Sequence, residues 1–170
     1  MPTLIDTKAQ PLPNGWALLP KEATLEQALA ESAPQLLVPA TLWSAHKEAL
    51  RASGRALGVW LDSNENASAI AADLATLPLI ALNFPGFMDG RSYSTAVVLR
   101  THHHYRGELR AIGDILRDQL FYLKRCGFDT FDLKDTVKLQ DAQKALHDYT
   151  TSYQSTVEEP LPLFKRRGVG

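Results

Sequence analysis

The sequence predicts an α/β protein of about five mostly parallel strands alternating with helices, and three observations predict it. Short apolar runs recur at Leu36-Leu37-Val38, Ala56–Leu61, Leu79–Leu82, Leu109–Ile112 and Phe131–Leu133, with starts about 20 to 30 residues apart. These runs are apolar throughout rather than alternating, as in strands covered on both faces. Helical patterns separate them with short connections, which makes parallel strands with crossover helices. Two closures follow. The first is an open doubly wound sheet. The alternative is half of a β/α barrel, whose unpaired edges would need another cover. A half-barrel would predict a homodimer, and an open sheet would allow a monomer.

The elements read in order as follows. Residues 1–20 form an irregular N-terminal arm, with a candidate hairpin turn at Asn14-Gly15. Residues 21–153 form a single α/β domain. Thr24-Leu25-Glu26-Gln27 has the pattern of a capping box and opens a helix to about Ser32. A helix from Leu42 to Ser53 has Thr41 as a possible N-cap and Gly54 as its stop. His46 on that helix is expected to be partly buried. Asn64 can cap the next helix, whose apolar face is Ala67, Ile70, Ala71 and Leu74. A helix spans Arg91 to Thr101. Asp114 can cap another, ending at Arg125 and stopped by Gly127. The last helix runs from Val137 to Tyr149. Residues 154–170 read as a mobile C-terminal tail ending in Leu161-Pro162-Leu163-Phe164-Lys165-Arg166-Arg167.

Composition excludes several classes. With 45% hydrophobic and 22% charged residues the chain is neither disordered nor fibrous. No apolar run approaches the roughly 18 residues of a membrane helix. The first residues lack the basic and apolar regions of a signal peptide. A cytoplasmic protein with no membrane partner is therefore expected. One cysteine, Cys126, excludes an intramolecular disulfide and an all-cysteine metal site within one chain. The net charge of −1 gives no general pull toward nucleic acid. Charge is uneven, however. Residues 86–126 hold seven Lys/Arg against four Asp/Glu, and six of the seven are Arg, the residue suited to planar anions.

In either closure ligands gather at the carboxyl ends of the strands. Two loops there can carry chemistry. In Asn83–Tyr93, Arg91 and the first helical amides can hold an anion. Asp89 and Tyr93 can orient it or move a proton. The plainer reading is a turn capped by Asp89 or Ser92, with Tyr93 packing. In Leu109–Gln119, Arg110, Arg117, Asp118 and Gln119 are candidate anion-binding residues and Asp114 a candidate catalytic one. Here the plainer reading is a cap at Asp114 and ion pairs at Arg117 and Asp118. The run His102-His103-His104 sits at a helix end. Three adjacent residues cannot all face one point, so no metal site is expected. No phosphate-binding or dinucleotide glycine pattern follows a strand, so no cofactor is evident.

Taken together these motifs resemble a known family. They are Asp89-Gly90-Arg91-x-Tyr93-Ser94, Gly107-Glu108-Leu109-Arg110-Ala111, Gly113-Asp114-x-Leu116-Arg117-Asp118-Gln119-Leu120 and Arg125-Cys126-Gly127-Phe128-Asp129, with Val38-Pro39-x-x-x-Trp43 earlier. The family is bacterial and of unknown function, and its genes commonly lie beside assimilatory sulfite (nitrite-type) reductase. Members are often labelled oxidoreductases of sulfite reduction. This chain departs at Ser92, where members usually carry Gly. The resemblance implies an accessory protein that docks with or serves the sirohaem sulfite reductase and binds a small anionic ligand. The alternatives are a small enzyme, an oxidoreductase acting on an anionic sulfur metabolite, and a structural partner subunit.

Overall fold

The computed structural model describes residues 3–86 and 89–147. The reading of residues 154–170 as a tail and the last two positions of the final helix lie outside that range. Eight strands form one sheet: β1 (Thr3–Asp6), β2 (Pro11–Leu12), β3 (Trp16–Leu18), β4 (Gln35–Pro39), β5 (Ala56–Leu61), β6 (Leu79–Phe84), β7 (Glu108–Gly113) and β8 (Thr130–Leu133). Between them lie α1 (Leu25–Ala30), α2 (Ala40–Ala52), a 3-10 segment (Ala67–Thr76), α3 (Arg91–Thr101), a 3-10 turn (Arg117–Gln119) and α4 (Leu120–Arg125). The helix α5 (Leu139–His147) follows.

The strand order is β2-β1-β8-β7-β6-β5-β4-β3, and β3 to β8 run parallel in chain order. A doubly wound sheet needs a point where that order reverses, and this sheet has none. Right-handed crossovers in unbroken order place every helix on one face. The half-barrel is therefore the closure the chain adopts. Its curl follows from one connection. Leu12 and Trp16 lie at opposite ends of the strand order yet only four residues apart. Those residues span at most about 14 Å, whereas seven flat strand spacings would need about 34 Å.

The main core lies between sheet and helices, with Val59, Leu82, Phe84 and Phe131 against Trp43, Ile70, Leu99 and Leu123. The other face holds a smaller cluster of Leu37, Trp60, Leu79, Ala81 and Ile112, with Trp16 packed on it.

The N-terminal arm is not irregular: residues 3–18 supply three strands. The expected turn at Asn14-Gly15 joins no hairpin. The hairpin is β1–β2, antiparallel, and β1 also pairs antiparallel with β8. Its turn uses Ala9 at φ +58, with the Asp6 carboxylate accepting the Lys8 and Gln10 amides. The capping box forms as read: Thr24 Oγ1 accepts the Gln27 amide at 3.2 Å and Gln27 Oε1 the Thr24 amide at 3.0 Å.

Other boundaries move. Pro39, not Thr41, precedes the first turn of α2. His46 is exposed and sits at a kink in that helix (φ −138). Asn66, not Asn64, caps the 3-10 segment, its side chain accepting from the Ser68 amide at 3.0 Å. Asp114 caps no helix. The chain turns first through 117–119, where Gln119 Oε1 accepts the Leu116 amide at 2.8 Å. One buried charge ties the helices together. Asp73 accepts the Trp43 indole N–H at 2.9 Å and lies beside Lys47 and Arg51.

Candidate functional site

The carboxyl ends of β5, β6 and β7 form the rim on which most of the expected site residues stand. Two clusters are built there. In the first, Asp89 forms a two-point ion pair with Arg91, Nη2 to Oδ2 at 2.7 Å and Nε to Oδ1 at 3.0 Å. Ser63 follows β5 and is only 6% exposed. Its hydroxyl donates to Asp89 Oδ2 at 2.6 Å and accepts from Arg91 Nη2 at 3.1 Å. Hydrogen bonds from Arg91 and then Ser63 hold the Asp89 carboxyl well below the usual carboxylate range. Arg91 Nη1 has no hydrogen-bond partner among the described residues, and the side chain is 62% exposed.

Beside it, Asp62 accepts from Lys21 Nζ at 2.7 Å and from Asn83 Nδ2 at 3.0 Å. Burial works against the ionised form of Asp62, but the Lys21 and Asn83 hydrogen bonds outweigh it and lower its pKa. Ser92 is 1% exposed and donates to the Asn83 carbonyl at 2.8 Å. Its hydroxyl therefore ties α3 to the end of β6.

The second cluster joins Tyr93 to Gln119. The Gln119 amide donates to the Tyr93 hydroxyl at 3.0 Å. The Tyr93 ring lies 5.0 Å from Phe84 and 4.8 Å from Tyr122. Burial raises the Tyr93 pKa. Asp114 pairs with Lys134 at 2.7 Å. Arg117 and Asp118 are exposed on the 3-10 turn.

Arg110 is not on the rim. It is 4% exposed on the concave face, donating to Glu108 Oε1 at 2.8 Å, Thr130 Oγ1 at 3.3 Å and Asn14 Oδ1 at 3.2 Å. The physical reason is register. Arg110 stands three residues before the strand end, about 10 Å below the rim, and its charge is used in bracing the N-terminal crossing. The sequence places Asp62, Ser63 and Asn83 in rim loops at strand ends but gives none of the three a role. Asp132 was missed. Burial pushes its carboxyl up, and its Oδ1 lacks a hydrogen-bond partner among the described residues.

Cys126 is 3% exposed, and burial pushes its thiol up. A thiolate is the reactive form. The folded protein is expected to resist an aromatic disulfide reagent that labels the chain fully in denaturant. Rapid labelling of the native protein at neutral pH would contradict this burial.

A cleft of about 320 Å³ adjoins Arg91, between the loop after β5 and α3, with Ser63, Glu65, Ser94 and Thr95 on its walls. A family model described as a bacterial protein of unknown function (DUF934) matches residues 58–164, more than half of the chain, including both rim loops. No curated protein matches the chain.

Proposed function

The chain belongs to this bacterial family of unknown function, and from that premise we propose that it is a cytoplasmic accessory protein of assimilatory sulfite reduction. In this reading its strand-end rim binds an anion and docks with or serves the sirohaem sulfite reductase. The link to sulfite reduction comes from the resemblance over residues 36–133. The observation that carries the anion reading is Arg91. Asp89 and Ser63 orient its guanidinium, and Nη1 is left for an outside oxygen. Sulfite, sulfate and the carboxylates of sirohaem are anions that a guanidinium grips through charge-assisted hydrogen bonds.

The state of Asp89 and Tyr93 supports binding over proton transfer by these two residues. General acid–base catalysis works best with a pKa near the working pH. Asp89 is held ionised by Arg91, and Tyr93 is held protonated by burial. Neither is poised to exchange a proton near neutrality.

The test is growth on sulfate as sole sulfur source. Arg91→Ala, and Arg91→Ala with Arg117→Ala, are expected to abolish growth while the protein accumulates in folded form. Normal growth of the double variant would remove the rim from this role. Native mass spectrometry of the protein enriched from such cells reads the partner directly. A complex with the reductase is expected, and a lone chain carrying a small adduct would favour the enzyme.

A further inference from the structure

Opposite the rim, at the amino-terminal end of the strands, two clefts meet. One, of about 490 Å³, is bounded by Thr7, Thr101, Lys124, Phe128 and Asp129. The other, of about 690 Å³, is bounded by Ala72, Ala75, Leu77, Pro78 and His104. Tyr105 and Arg106 line both, so Arg106 stands where they join. Together they make one trough, with Arg106 and Lys124 on the first cleft and a wall of Ala72, Ala75, Leu77 and Pro78 facing His103 and His104 on the second.

The two ends of the sheet differ in how their charges are used. On the rim Lys21, Arg91 and Lys134 are each paired with a carboxylate. At this end the carboxylates are engaged, and three cations are not. Asp6 accepts the Lys8 and Gln10 amides, Glu108 binds Arg110, and Asp129 binds Arg100 and the Leu109 amide. The side chains of Lys8, Arg106 and Lys124 have no hydrogen-bond or ion-pair partner among the described residues.

Arg106 is also held in a particular way. Arg100 Nη1 donates to the Tyr105 carbonyl at 2.8 Å and the Gly107 carbonyl at 2.9 Å, one on each side of it. The Tyr105 hydroxyl donates to the Leu77 carbonyl at 2.8 Å. A largely buried arginine thus clamps the backbone that presents an exposed one. The backbone is preorganised, which lowers the ordering cost of binding.

We infer that this trough binds an extended acidic segment of a protein partner. The carboxylates of that segment lie on Arg106 and Lys124, and its apolar side chains cover Ala72, Ala75 and Pro78. Charge complementarity selects an anion. The size of the space selects a chain over a compact ion: the adjoining clefts, about 490 and 690 Å³, are far larger than such an ion fills. The carboxyl ends of α3 and α4 lie here too, at Thr101 and Arg125, and their dipoles work against any anion, a cost that the apolar contacts of a segment offset. The inference is independent of the rim and of sulfite reduction.

The test uses the full chain, labelled with ¹⁵N, and a probe peptide of alternating glutamate and leucine. Amide shifts are expected at residues 71–78, 101–107 and 124–129. Arg106→Gln with Lys124→Gln removes two cations that have no hydrogen-bond or ion-pair partner among the described residues, and since only Lys124 complements a helix end, the melt is expected to move by no more than a few degrees. The double variant should weaken the peptide at least about tenfold. Replacing glutamate by glutamine in the peptide should do the same, and Lys138→Glu should do neither. Shifts on the rim, no binding by the wild type, or equal binding by the double variant would overturn the inference. Inorganic phosphate that reproduces the shifts and displaces the peptide would overturn the peptide as occupant and leave a small-anion site.

Discussion

Arg100→Ala is expected to destabilise the protein by roughly 3–5 kcal/mol, the range for breaking a buried, multiply bonded charge. The side chain is 12% exposed. It donates to the carbonyls of Gly127 (3.0 Å), Tyr105 (2.8 Å) and Gly107 (2.9 Å) and to the Asp129 carboxylate (2.6 Å). Four hydrogen bonds from one ion join α3, the loop before β7 and the loop before β8. Alanine leaves those carbonyls competing for water in a space shaped for a guanidinium. Because domains are stable by only about 5–15 kcal/mol, the melting temperature should fall by roughly 10 °C. Arg100→Lys keeps the charge but loses the planar fork, and should recover less than half of the loss. Urea unfolding with an unchanged denaturant slope measures both. A change below about 1 kcal/mol would mean that water replaces the guanidinium at little cost, and that the clamp under Arg106 is not needed.

The same residue shows what sequence reading reaches. Arg100 reads as one more cation at a helix end, because Gly127 and Asp129 lie 27 and 29 residues away. The five apolar runs are legible as strands because burial on both faces leaves an unbroken signature. The strands β1 and β3 are not, being three or four residues long at positions set by distant partners, as in Thr3 opposite Leu133. The choice of half-barrel over doubly wound sheet is equally long-range, because both closures share the same local patterns. The rim loops were found because strand ends collect ligands in either closure. Their internal pairing was not, since the hydroxyl that completes the Asp89–Arg91 pair comes from Ser63, in the separate loop after β5. Arg110 illustrates the converse error. A charge inside an apolar run looks available for binding until its partner, Asn14, arrives from 96 residues away.

A series of three glycine substitutions is expected to separate backbone conformation from space, with the largest effect at the rim. Gly86→Ala should change stability by less than about 0.5 kcal/mol, since a Cβ there meets nothing within 4 Å. Gly54 has the same open space but φ +71, so Gly54→Ala should cost only the left-handed penalty, about 1–2 kcal/mol. Gly113 has φ +95, and its Cβ would run into the Asn83 side-chain oxygen and the Phe84 backbone. That backbone cannot move freely. Phe84 is paired with Gly113 in the sheet, and its carbonyl accepts the Asp114 amide at 2.6 Å. Gly113→Ala should therefore cost at least about 3 kcal/mol, the left-handed penalty plus overpacking. Asn83 is the side chain most able to yield, and it binds Asp62. The substitution should thus also disturb the Lys21–Asp62–Asn83 cluster, visible as amide shifts at 61–65 that Gly54→Ala does not produce. Equal losses at Gly54 and Gly113 would mean that the rim absorbs a methyl group without strain, and that the close approach of β6 and β7 does not set the position of Asn83.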